Sequence, residues 1–141
     1  MSSADSKDNI IRFIRNVGDI TLMKEMLEKR EISDINIRDG ASGDCTALMW
    51  QAYDGTVEGM AFLLAHKPPA LPNLQNCEGV TALHWSVMNG DNPAKVRLLL
   101  DHGADKTIRN YAGHTALDIA WRRNRKECIK VLESYPPKPR G

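Results

Sequence analysis

The stretch Thr81-Ala82-Leu83-His84-Trp85-Ser86-Val87-Met88-Asn89-Gly90 is written three times in this chain. It stands upstream as Thr46-Ala47-Leu48-Met49-Trp50-Gln51-Ala52-Tyr53-Asp54-Gly55 and downstream as Thr115-Ala116-Leu117-Asp118-Ile119-Ala120-Trp121-Arg122-Arg123-Asn124. The threonines fall roughly 34 to 35 residues apart, and a fixed period of this size belongs to a solenoid whose units bury their apolar faces only against their neighbours. Such an architecture points to binding rather than to chemistry.

Working outward from the middle copy, the unit runs from Asn76 to Asp105. Asn76-Cys77-Glu78-Gly79 predicts a turn with Gly79 at positive φ, and Thr81 is suited to cap a first helix over Ala82 to Asn89, closed by Gly90. Asp91-Asn92-Pro93 restarts the chain, because proline is tolerated in a first helical turn but not in an interior. A second helix is expected over Pro93 to Asp101, with Gly103 as its cap.

Leu98-Leu99-Leu100-Asp101-His102-Gly103-Ala104-Asp105 resembles the LLLxxGAD end of an ankyrin repeat, and Thr81-Ala82-Leu83-His84 resembles its TPLH start. The resemblance implies an all-α fold, an ankyrin-repeat solenoid of four stacked helix-turn-helix units with projecting hairpin loops. In the second unit Phe62-Leu63-Leu64 matches the leucine run and Asn73 to Asn76 the outgoing hairpin, with about two extra residues around Pro68 to Pro72 that belong in a loop. The first unit lacks the TPLH signature. Its Ile10, Ile11, Phe13 and Ile14, then Ile20, Met23, Met26 and Leu27, still have helical spacing on either side of Val17-Gly18-Asp19, and Ser33 to Asp39 resembles the family's exit into a hairpin. The repeats are placed at about 9–38, 39–75, 76–109 and 110–135 of a single domain, leaving 136–141 as a proline-rich tail with PxxP spacing.

Terminal repeats need one polar face. Arg12, Arg15, Lys24, Glu28 and Lys29 supply it at one end, and Arg122, Arg123, Arg125, Lys126 and Lys130 at the other. Trp121, where the other copies carry Ala52 and Val87, is expected to fill space that a further repeat would occupy.

With 42% apolar and 26% charged residues and a formal charge of +1, the composition exerts no general pull toward polyanions. No apolar run approaches the ~18 residues of a membrane span, and no leader is read at the polar start. Three scattered cysteines, Cys45, Cys77 and Cys128, argue against a disulfide framework or zinc knuckle and for a reducing cytoplasmic or nuclear setting.

A Cys/His nucleophile pair drawn from Cys45 or Cys77 with His84, His102 or His114 competes with a structural role for these residues. His84 has that role by resemblance, since in the family the imidazole and the threonine hydroxyl fix the turn. No phosphate-binding glycine motif and no metal-ligand spacing occurs. The chain is therefore read as no enzyme and without cofactor or metal.

In ankyrin repeats partners lie against the concave surface formed by hairpin tips and first helices. Carried over by position, the tips are Asp39 to Asp44, Cys77, Glu78 and Val80, and Tyr111, Ala112 and His114. The helix positions before each turn are Tyr53 and Asp54, Met88 and Asn89, and Arg122 and Arg123. Trp50 and Trp85 occupy the same slot one unit apart, either packed between units or offered as a shared aromatic platform. The longer glycine-bearing tip Asp39 to Cys45 either faces the partner or is a functionless insertion.

The function expected is that of an adaptor, scaffold or inhibitor, monomeric and bound to another protein, with no membrane partner. The rival is a nucleic-acid-associated factor using the C-terminal repeat, where Ala116 to Gly141 holds seven Lys/Arg against three Asp/Glu. Nucleic acid is the weaker reading, because no stacking aromatics interleave those charges.

Overall fold

The computed structural model describes residues 6–15, 19–40 and 43–135. Among them, eight helices form four consecutive pairs: α1 (Lys7–Ile14) and α2 (Ile20–Glu28), α3 (Ala47–Asp54) and α4 (Val57–Ala65), α5 (Ala82–Ser86) and α6 (Pro93–Asp101), α7 (Ala116–Arg122) and α8 (Lys126–Ser134). First helices touch in the series α1, α3, α5, α7, second helices in the series α2, α4, α6, α8, and each first helix packs on its own partner. Phe13, Met23, Leu48, Met60, Leu63, Leu83, Val96, Leu99, Ala120 and Leu132 are buried in one continuous core, each large aliphatic contributing about 1.5–3 kcal/mol. The Val17-Gly18 turn and the tail 136–141 lie outside the described residues.

The threonines cap as their spacing predicts. Thr46, Thr81 and Thr115 accept from the amides of Met49, His84 and Asp118, and Ser6, Asp19, Thr56 and Asn92 cap α1, α2, α4 and α6 in the same way. Helix α8 differs, because Arg125 at its N-cap position makes no side-chain cap. Its orphan amides are taken instead by Asp91 of the preceding unit, which accepts from Glu127 at 3.0 Å and Cys128 at 2.9 Å.

Three helices end in one motif. After α6, Ala104 donates back to Leu99 and Gly103 to Leu100, with Gly103 at φ +92°. Arg30 and Asn124 hold the same left-handed position after α2 and α7, with the corresponding bonds from Glu31 to Met26 and from Arg125 to Ala120.

Two expectations change. Helix α5 stops at Ser86 rather than Asn89, because Val87 and Met88 donate to His84 and Trp85, tightening the last turn to i→i−3. Trp121 is 59% exposed, so most of its ring stands in solvent and covers little of the terminal face.

The hairpins carry Asn76 and Asn110 at equivalent positions. Each side-chain oxygen accepts two amides, Glu78 and Val80 in one tip, Ala112 and His114 in the next. Asp39 and Cys45 form the isolated bridge of the first tip. Successive tips are joined by backbone bonds, Cys77 to Gly43 and Tyr111 to Glu78, each 2.9 Å. Beneath them Arg38 donates to the carbonyls of Asp44 and Gln75, and Gln75 to those of Gly79 and Arg109. One side chain per period thus ties its own turn to the next unit.

Candidate functional site

The tips and first helices enclose a groove of about 680 Å³ lined by Trp50, Tyr53, Cys77, Glu78, Val80, Trp85, Met88, Asn110, Tyr111, Ala112 and Ile119. Threonine capping fixes where α3 and α5 begin, so Trp50 and Trp85, four residues beyond Thr46 and Thr81, meet on the same side of the stack. Their rings are edge-to-face at 5.5 Å, and Tyr53 is edge-to-face with both, 5.0 Å from Trp85 and 6.3 Å from Trp50. Arg15 of the first unit places its guanidinium 5.5 Å from the Trp50 centroid. The two tryptophans are half-buried: they pack between units and still face the groove.

Tyr111 is 73% exposed and positioned from behind. Its amide donates to the Glu78 carbonyl, and its backbone nitrogen lies 2.8 Å from where a Cβ on Gly79 would stand. Gly79 thus serves both its φ of +76° and the close approach of the next tip.

Of the residues singled out from the sequence, Trp50, Tyr53, Cys77, Glu78, Trp85, Met88 and Tyr111 come together here, with Val80 and Ala112 of the tips. The others are placed differently. Asp39 is 3% exposed beneath its tip, 3.5 Å from Arg15, while Asp44 is exposed at a left-handed turn position. Asp54 accepts from Asn89 at 3.4 Å, and Asn89 also donates to the Tyr53 carbonyl. Arg123 repeats that bond one unit on, donating to the Met88 carbonyl at 3.3 Å. Arg122 is exposed at the end of α7, and His114 is half-buried, its carbonyl accepting from His84 Nε2 at 2.9 Å.

Ile119, Asn110 and Arg15 were missed. Ile119 stands in the slot of Trp50 and Trp85, so aligning the copies exposes it; Arg15 has no such signal, because its unit lacks the threonine that sets the register.

Below the groove, a buried and a half-buried cation meet the carbonyl ends of the first helices, where partial negative charge collects. Lys95, 8% exposed, donates to the Ala52 carbonyl at 3.2 Å, and Arg125 donates to Val87 and Met88, each at 3.0 Å. Burial lowers the Lys95 pKa and the charge of Asp54 opposes that shift. Burial raises the Cys45 thiol and, with the neighbouring Asp91 carboxylate, pushes Cys128 up to about 12, so both stay protonated and weakly nucleophilic at neutral pH. Among the described residues no group of three or more His, Cys, Asp or Glu side chains could hold a metal ion, and no helix is long and apolar enough to cross a membrane.

Paired helices, capping threonines and a ladder of hairpins define a repeat solenoid. A family model described as "Ankyrin repeats (3 copies)" matches residues 10–110 and again 68–138, and the chain belongs to the ankyrin-repeat family. Ankyrin repeats are protein–protein interaction modules. Among similar proteins, BCL-6 corepressor-like protein 1 of Homo sapiens is 35% identical over 92 residues, 65% of this chain and 5% of that protein. NF-kappa-B inhibitor epsilon of Homo sapiens is 36% identical over 76 residues, 54% of this chain and 15% of that protein. The NAD-capped RNA hydrolase NUDT12 of Homo sapiens is 39% identical over 69 residues, 49% of this chain and 14% of the hydrolase. The chain therefore spans a small part of these relatives, and the hydrolase is matched in its ankyrin part only.

Proposed function

We propose that this chain is a monomeric adaptor, scaffold or inhibitor of the cytoplasm or nucleus that binds a partner protein in the groove between hairpin tips and first helices. The observation that carries the reading is the convergence of Trp50, Tyr53, Trp85, Met88 and Tyr111 on that groove. Aromatic residues and methionine are the types enriched at interface cores, and ring clusters supply large contact area at low entropic cost. Relatives named as a corepressor-like protein and as an inhibitor fit a non-catalytic role.

The nucleic-acid reading finds less support. Arg123 and Arg125 are engaged with carbonyls of the previous unit and Lys130 with Glu127 at 2.9 Å, so these three side chains are drawn toward the protein's own acceptors rather than presented to phosphates. Affinity capture from native extract tests the proposal. Wild-type protein should retain a partner that the Tyr53→Ala/Met88→Ala variant loses; equal recovery by the variant would place the partner on another surface.

A further inference from the structure

Resting on that reading, we propose that the groove seats an arginine side chain of the partner, stacked on the aromatic cluster and countered by Glu78. The rings Trp50, Tyr53, Trp85 and Tyr111 line the groove with Met88, and among the described residues Glu78 is its one formally charged lining side chain. Aromatic faces are electron-rich, and a guanidinium is planar and weakly hydrated, so it can leave water for a stacked site where an ammonium is held back. The cluster already carries one such contact from its own chain, since Arg15 lies 5.5 Å over Trp50. That guanidinium is matched to Asp39 at 3.5 Å, so it does not neutralise Glu78.

Charge further along the face agrees. Asp44 and Asp54 are exposed on the acidic side, whereas Arg122 and Arg123 are exposed beyond Met88. A partner segment is therefore held in one direction, its basic side chain toward the tip that carries Glu78 and its acidic or neutral continuation toward α7. The tips are pre-set in their backbones, because the Tyr111 amide bonds to the Glu78 carbonyl and holds the two residues on adjoining hairpins.

The probe is a random dodecapeptide library displayed on phage and selected on the full chain, each selected peptide then being assayed on Tyr111→Ala, whose exposed ring can be removed without opening the core. Selected peptides should share one arginine beside apolar residues. In the synthetic peptide, replacing that arginine by its neutral isostere citrulline should weaken binding by about tenfold. Glu78→Gln should weaken the arginine peptide several-fold and shrink the citrulline effect. Peptides that need Tyr111 but show no arginine, or that bind equally with citrulline, overturn the inference and leave the groove as the docking surface. Peptides indifferent to Tyr111→Ala and to Met88→Ala overturn both. A library that yields no binder also overturns the inference, since a short basic segment would then not suffice.

Discussion

The imidazole of His84 accepts at Nδ1 from the Thr81 amide and donates at Nε2 to the His114 carbonyl, one unit further on. The Nδ1 bond needs the neutral ring, and burial lowers its pKa against the opposing influence of the His114 carbonyl and the Asp118 charge. The unfolded chain therefore takes up the proton more readily. Stability from this group is complete above the ordinary histidine value of about 6.5 and is lost as pH falls through the lowered folded value. Urea unfolding at stepped pH should show that slope, and His84→Ala should abolish it while costing about 2–3 kcal/mol through lost bonds and a cavity. Gly79→Ala is a second test at this scale. It should cost about 1–2 kcal/mol from left-handed strain alone, and should also displace Tyr111, visible as a shifted Tyr111 resonance. His84 was legible through the resemblance of Thr81 to His84 to the family's TPLH start, and Gly79 because a glycine recurs shortly before each capping threonine. Asp39 was not legible as a buried group, since its partner Arg15 lies in the unit without a register.

Helix α8 depends on a carboxylate outside its own unit. Burial acts to raise the Asp91 pKa, but the amides of Glu127 and Cys128 outweigh it and hold the group below its ordinary value. Its contribution is present above the ordinary carboxylate range and is lost as pH falls through the lowered value. Asp91→Ala should lose about 1 kcal/mol, as other lost caps do, with faster amide exchange confined to the first turn of α8. In the opposite direction, Arg30→Gly should gain about 0.5–1 kcal/mol by relieving a left-handed non-glycine position; calorimetry showing a lower Tm would refute this. Helix existence was legible from spacing and caps. The end of α5 was not, because Val87 and Met88 suit a helix and only the tightened final turn stops it. The in-trans cap by Asp91 was equally hidden, since an unremarkable Asp-Asn-Pro restart carries no sign of a bond 36 to 37 residues away.

Across the whole molecule the repeated residues build the stack and the unrepeated ones furnish its surface. Arg38 and Gln75 join turn to turn, Lys95 and Arg125 lock helix ends, and the groove is lined by the recurring Trp50 and Trp85 together with Tyr53, Met88 and Tyr111, which vary between copies. Half of the candidate residues converge there, because a period shared by tips and first helices brings equivalent slots into line. Asn89 and Arg123 read as surface residues yet bond to the carbonyl of the previous unit, a role that no residue type announces. The most direct test of the groove as the partner surface is the dissociation constant of the captured partner for wild type, Tyr53→Ala/Met88→Ala and Arg97→Ala, the last lying on the second-helix side beside Val57 and Leu98. A loss of about tenfold or more in the groove variant, with Arg97→Ala within about twofold of wild type, is the result expected. Unchanged binding by the groove variant together with loss in Arg97→Ala would contradict it.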